Sequence, residues 1–303
     1  MITFTDVLNA AARIAPYARV TPVKTSAALD ALAGAVLFFK CENLQVGGAF
    51  KFRGAVNAVF ALSDAQAANG VVSHSSGNHG AALARAAKLR GISAHVVVPE
   101  GAVQSKLDAI REAGAIIHRC AATQAARESM TQELMTELGA ALVHPYEDPN
   151  VMAGQGTAAL ELQHDVPGLD AVIAPVGGGG LISGTAIALD PVDIPLYGVE
   201  PEGAADTIAS LAAKERITHI VPDTVCDGLR AVVGVPNFAI ISEHVLQVLS
   251  VSDAQCLAAQ ALVAEHLKMV IEPSCGTVLA AVLAYPELFK GKRVGLILTG
   301  GNV

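Results

Sequence analysis

Ala171-Val172-Ile173-Ala174-Pro175-Val176 runs straight into Gly177-Gly178-Gly179-Gly180, and then into Leu181-Ile182. The first six residues form an unbroken apolar run of strand length, the kind buried on both faces of a parallel sheet. A helical stretch opens at Leu181. A strand that enters a helix through a glycine turn is the repeating unit of an α/β fold. Four glycines exceed what a turn requires. They let the backbone close around an anion with its N–H groups turned inward, at the positive end of a helix. We read the segment as a phosphate cradle. It is not the dinucleotide fingerprint, because Ile182 stands where a third spaced glycine belongs. Nor is it a Walker loop, because no Gly-Lys-Ser/Thr follows.

The same alternation extends along the chain. Strands are predicted at Val36–Lys40, Val71–Ser73, Ala94–Pro99, Ala115–His118, Ala141–His144, Leu196–Val199 and Arg293–Thr299. Helices are predicted at His79–Arg90, Ser105–Ala113, Ala122–Leu138, Ala254–Leu267 and Thr277–Leu283. Short apolar strands separated by helices predict two open, twisted, mostly parallel sheets flanked by helices. The 303 residues divide into a small lobe, 48–141, and a large lobe from 1–47 and 142–303. In such sheets ligands bind beyond the carboxyl ends of the strands, so the loops there carry the chemistry.

Composition narrows the function. A net charge of −8, with no basic patch interleaved with aromatics, argues against nucleic acid or an anionic membrane as partner. No stretch of 18 apolar residues exists, and Met1 to Val20 lacks the charge-then-apolar order of a secretory signal. Five cysteines are scattered without Cys-x-x-Cys spacing, which fits a reducing cytoplasm and no structural zinc. Only 16% of residues are charged, which suggests a surface partly covered by another subunit.

Three further loops hold polar residues in unusual density. Gly47-Gly48-Ala49-Phe50-Lys51-Phe52-Arg53-Gly54-Ala55 places a lysine between aromatic residues at the start of a helical stretch. Such an amine becomes nucleophilic when desolvation lowers its pKa, and it suits imine formation. Ser75-Ser76-Gly77-Asn78-His79-Gly80 gathers hydroxyls, an amide and backbone donors at a helix start, more than an N-cap needs. That set can hold a carboxylate. Glu272-Pro273-Ser274-Cys275-Gly276 precedes another helix.

With these loops in this order, the chain resembles the fold-type II pyridoxal-phosphate enzymes of tryptophan synthase β-like fold. More narrowly it resembles the serine/threonine dehydratase and serine racemase family, over about Ile14 to Gly301. The resemblance implies pyridoxal 5′-phosphate as cofactor, with Lys51 as its imine lysine, Phe50 beside it and Asn78 on its ring hydroxyl. Gly177, Gly178, Gly179 and Gly180 would hold its phosphate, and Ser274 would face its ring nitrogen. The loop Ser75, Ser76, Gly77, Asn78 and His79 would take the substrate carboxylate. Ser76 would be the acid/base opposite Lys51, a serine that racemase-like members share. Glu200, Ala204 and Asp206 would bind a divalent cation, Mg2+ or else Ca2+ or Mn2+, through oxygen ligands. Arg127 and Tyr146 would select the side chain, the arginine fork suiting a second carboxylate. A homodimer is also implied. Cys275 stands where a glycine is common and is read as structural. The end of the sequence at Val303 predicts no regulatory domain.

The expected activity is a dehydratase (ammonia-lyase) turning a small β-hydroxy amino acid into a 2-oxo acid and ammonia. Serine, threonine, 3-hydroxyaspartate and phenylserine stay open as substrates. The alternatives are an amino-acid racemase, β-replacement of the cysteine-synthase kind, and a catalytically silent cofactor carrier.

Overall fold

The structure is a computed structural model that describes residues 1–303. Ten strands form two sheets. The larger sheet has six strands in the order β1-β2-β10-β7-β8-β9. These are β1 (Val23–Lys24), β2 (Val36–Cys41), β7 (Ala171–Pro175), β8 (Leu196–Pro201), β9 (Gln247–Val251) and β10 (Arg293–Leu298). The smaller sheet, in the order β5-β4-β3-β6, contains β3 (Val71–Ser73), β4 (Ala94–Pro99), β5 (Ile116–Cys120) and β6 (Ala141–Leu142). Every pairing is parallel except the two-residue β1 against β2. The α/β architecture of mostly parallel sheets therefore stands as read.

Helices bury both faces of the six-stranded sheet. One core of 28 side chains lies toward the helices Asp253–Leu267 and Pro273–Ala284. A second of 22 lies toward Pro149–Asp165, Gly180–Leu189 and Val235–His244. All five residues of β7 are buried, as its unbroken apolar run requires. Pro149–Asp165 and Gly180–Leu189 touch at backbone level. A Cβ at Gly184 would stand 2.1 Å from the Met152 carbonyl oxygen.

The helix Lys51–Ala61 connects the two sheets. Phe52, Ala55, Val56 and Val59 pack into the core of the small sheet. Its entrance is held by the large sheet, where the Phe50 amide donates to the Thr299 carbonyl at 3.0 Å and Ala49 bridges Gly300. Some boundaries differ from the sequence reading. The strand expected at Ala141–His144 stops at Leu142, because the chain turns away through His144-Pro145-Tyr146. The helix expected from Thr277 begins at Pro273, a residue suited to a first helical turn.

Candidate active site

Lys51 opens its helix just beyond the carboxyl end of β10. Gly47 and Gly48, both at φ +74°, make the turn that delivers it. Its Nζ donates to the Pro145 carbonyl oxygen at 3.0 Å and lies 5.1 Å from the centre of the Phe50 ring. Burial lowers its pKa to about 8. Behind it, Arg53 is fully buried between two carboxylates. Nε and Nη2 meet Glu42 at 2.7 and 2.8 Å, and Nη1 and Nη2 meet Glu161 at 2.7 and 2.8 Å. Lys40, also fully buried, reaches Glu161 at 2.6 Å. This network fixes the first turn of the lysine's helix.

The glycine loop follows the neighbouring strand β7. Gly179 adopts φ +92°, a left-handed value that turns the chain into its helix. The amides of Gly177, Gly178 and Gly179 donate to no carbonyl of the protein. Three free N–H groups at a helix start are what an anion would satisfy. Packing also demands small residues here, for a Cβ at Gly178 would lie 2.4 Å from Tyr146 Cγ.

The loop after β3 runs into the helix Asn78–Arg90. Ser75, Ser76, Gly77 and Asn78 are half-buried, and the amides of Ser75 and Ser76 find no backbone acceptor. His79 is buried. Its Nε2 lies 3.4 Å from the Val143 carbonyl oxygen, and its Nδ1 has no partner. With the carbonyl able only to accept, the proton sits on Nε2. Burial, then the Lys51 charge, holds this imidazole well below its ordinary pKa.

The segment His144-Pro145-Tyr146 forms a wall of the site. His144 Nδ1 accepts the Glu147 amide at 3.0 Å, so its proton is on Nε2. Burial, then His74 and Lys51, brings its pKa down to about 3. The His144 ring stands edge-on to His74 at 4.9 Å and to Tyr146 at 4.6 Å. Arg127, on the helix Gln124–Leu138, has a buried Nε with no partner. Its charge adds to burial in lowering the pKa of His74 and opposes burial at Tyr146. The Arg127 charge thus reaches the wall that His144, Pro145 and Tyr146 form.

Asn78 Nδ2 donates to Glu272 Oε1 at 2.8 Å, linking the start of one helix to the residue before another. Ser274 is buried, and its Oγ accepts the Gly228 amide at 3.0 Å. Several residues here escaped the sequence reading as site residues: Thr299, at the carboxyl end of β10 beside Phe50, together with Glu272, Asn302, His74 and His144. Only their clustering with polar loops in space marks them. Cys275 is buried, its thiol pushed up to about 12 by burial, which makes it no nucleophile.

The expected cation ligands lie elsewhere, Glu200 near the carboxyl end of β8 and Ala204 and Asp206 just after it. Both oxygens of Glu200 accept backbone amides, from Thr207 at 3.0 Å and Ile208 at 2.9 Å. Asp206 Oδ2 accepts from Val233, while its buried Oδ1 has no partner. No cluster of three or more His, Cys, Asp or Glu side chains is assembled for a metal. The unpartnered Asp206 oxygen is what a cation would fit.

The family model described as "Pyridoxal-phosphate dependent enzyme" matches residues 14–300. The chain is 48% identical to a β-hydroxyaspartate dehydratase of Paracoccus denitrificans, over 99% of this chain and 96% of that protein. It is 44% identical to an L-threo-3-hydroxyaspartate ammonia-lyase of Saccharomyces cerevisiae, over 99% and 93%. Among solved structures, maize serine racemase superposes with a TM-score of 0.96 at 42% identity, covering 100% of this chain and 94% of that one.

Proposed function

The chain belongs to the pyridoxal-phosphate dependent enzymes, and from that premise we propose that it is a hydroxy-amino-acid dehydratase (ammonia-lyase) whose preferred substrate is 3-hydroxyaspartate. The observation that carries the choice of substrate is Arg127, whose Nε is buried without a partner and whose charge is felt by both His74 and Tyr146. A buried, unsatisfied guanidinium nitrogen is costly unless a ligand meets it, and a second carboxylate meets it best. Two relatives whose names specify hydroxyaspartate support the reading.

The residues fit the cofactor. Gly177 to Gly180 offer free amides for a phosphate, Lys51 a desolvated amine, Asn78 an amide and Phe50 an apolar neighbour. Ser274 was the expected partner of the ring nitrogen. We prefer Thr299, which stands at the carboxyl end of the central strand β10 with its carbonyl bonded to the Phe50 amide next to Lys51. Loss of the bound cofactor's normal spectrum in Thr299→Val but not in Ser274→Ala is the expected outcome; the reverse returns the role to Ser274.

Bound pyridoxal phosphate supplies an electron sink for the pair left when a Cα proton departs. Lys51, as free amine, takes that proton as general base. The loop Ser75, Ser76, Gly77, Asn78 and His79 holds the α-carboxylate, and Arg127 the second one. Tyr146 borders the side chain. Loss of the β-hydroxyl as water, then hydrolysis, yields a 2-oxo acid and ammonia. Ser76 offers a second hydroxyl for proton return, which is the basis of the racemase alternative. Glu200, the Ala204 carbonyl and Asp206 would hold Mg2+, a reading supported by the unpartnered Asp206 oxygen. We place the protein in the cytoplasm as a homodimer with no membrane or nucleic-acid partner. All five cysteines are free, and no helix is long and apolar enough to cross a membrane.

The test is a panel of both enantiomers of threo- and erythro-3-hydroxyaspartate, serine, threonine and phenylserine, with and without Mg2+. The readouts are 2-oxo acid release and product chirality. One hydroxyaspartate isomer should have the highest kcat/KM. Arg127→Leu should lower that value by ~30-fold or more, the loss of a paired charge, and leave serine within about threefold. Inverted amino acid formed faster than 2-oxo acid would establish the racemase instead.

A further inference from the structure

We propose that Glu272 and Asn302 are positioning residues for Asn78. They orient its carboxamide so that one Nδ2 hydrogen is left for the cofactor's ring oxygen, and they clasp this edge of the small lobe to the large one. The proposal rests on the cofactor reading above.

Three separate segments meet at this point. Asn78 begins a helix of the small lobe, Glu272 immediately precedes the helix Pro273–Ala284, and Asn302 follows β10. Asn78 Nδ2 donates to Glu272 Oε1 at 2.8 Å. Asn302 Nδ2 donates to Asn78 Oδ1 at 3.0 Å and to the Gly47 carbonyl at 2.8 Å, which uses both of its hydrogens. The backbone N–H of Asn302 donates to the same Glu272 oxygen at 3.1 Å, closing a ring of three residues. Gly47 lies in the turn that delivers Lys51, so the clasp touches the cofactor's lysine segment as well.

The ring allows only one orientation of Asn78. Turned over, its Oδ1 would face the Glu272 carboxylate, oxygen against oxygen, and its NH2 would face the NH2 of Asn302. As placed, its oxygen accepts, one hydrogen goes to Glu272, and one hydrogen is uncommitted. The backbone is shaped to admit the clasp. A Cβ at Gly48 would stand 2.3 Å from Asn302 Oδ1, and one at Gly300 would stand 2.9 Å from Glu272 Oε1. Burial raises the pKa of the Glu272 carboxyl, and the two N–H donors oppose that rise. The surface pair Lys106–Asp227 crosses the same cleft nearby.

The test is a double-mutant cycle on the holoenzyme, with Asn78→Ala, Asn302→Ala and the pair together. The readouts are the absorbance spectrum of the bound cofactor and its rate of loss to a scavenging apoenzyme. Asn302→Ala should alter the spectrum and speed cofactor loss about tenfold, the effect of one lost hydrogen bond in a charged network. Glu272→Gln should act in the same direction. In the Asn78→Ala background, Asn302→Ala should change the loss rate by only about threefold or less, because its Asn78 target is gone and only its Gly47 contact is still lost. An undiminished tenfold effect in that background, or an unchanged spectrum in Asn302→Ala, overturns the clasp. If Glu272→Gln fails to fold, the exposed Asn302 carries the test alone. Wild-type protein that shows no lysine-bound absorbance would overturn the cofactor reading itself, a different result from either.

Discussion

The amine of Lys51 should behave as a weak base before any cofactor arrives. Burial lowers its pKa from the ordinary 10.5 to about 8, with no charged neighbour contributing. At pH 7 the free-amine fraction is then roughly 10%, about 300-fold above that of an exposed lysine. The perturbation is a pH series on apoprotein with pyridoxal phosphate added at each value, following the rise of lysine-bound absorbance. The capture rate should climb tenfold per unit below pH 8 and level off above it. N-acetyl-lysine in the same buffers should keep climbing to beyond pH 10. Stability should follow the same window. A lysine whose folded pKa is depressed leaves the unfolded chain holding more protons between pH 8 and 10.5, so stability rises with pH there. The cost below pH 8 is at most roughly 3 kcal/mol, less to the extent that water still reaches the amine. Lys51→Met apoprotein should therefore melt above wild type at pH 6.5, with the gap narrowing toward pH 10. A capture rate still rising through pH 10, together with a melting gap independent of pH, would refute the claim that desolvation activates this amine.

Other substitutions probe the surroundings. Gly178→Ala puts a methyl 2.4 Å from Tyr146 Cγ; overpacking of about 1–3 kcal/mol should weaken cofactor binding roughly tenfold by fluorescence titration, and adding Tyr146→Ala should restore it. Arg53→Met leaves Glu42 and Glu161 facing each other without their shared cation, at a cost of about 3–5 kcal/mol, read as a fall in the urea midpoint. Chelation should lower the melting temperature of wild type but not of Asp206→Asn, and equal drops in both would remove the cation from that loop.

The sequence exposed what lies in contiguous segments. β7 could be read because a strand covered on both faces is an unbroken apolar run, and the glycine loop because four glycines adjoin it. The helix Pro149–Asp165 went unread for the opposite reason. Val151 through Ala159 are all buried, so there is no polar face to mark a helical period. The edge strand β9, Gln247–Val251, is short and mixes polar with apolar residues. Within the site, Lys51, the glycines and Ser75 to His79 announced themselves by local pattern. Glu272, His144 and the pair Thr299 and Asn302 lie on three segments far apart in the sequence. Their meaning comes from strand order, which sets β10 between β2 and β7 and so brings the ends of three distant segments together. The glycine run also carried more than one message. Its free amides suit an anion, yet Gly178 and Gly180 must be small for Tyr146 regardless.

The buried ions beneath Lys51 show why burial alone can set its pKa. Two cations, Lys40 and Arg53, face two carboxylates, Glu42 and Glu161, with the partly exposed Asp165 beyond at 3.6 Å from Lys40. Arg53 is only two residues from Lys51 on the same helix. An unpaired guanidinium there would push the amine's pKa lower still, and an unpaired carboxylate would raise it and keep the amine protonated. Pairing inside the network cancels both influences at the amine. The same logic governs the anion site. Backbone dipoles at the Gly180–Leu189 helix would hold a phosphate with partial charges, so that no lysine or arginine need be placed beside the reactive nitrogen. Full charges are thus paired behind the site and partial charges lie at the glycine loop, while Arg127, whose buried Nε has no partner, would on the proposed reading meet the substrate side chain. A carboxylate-bearing substrate then brings the counter-charge that the protein itself withholds.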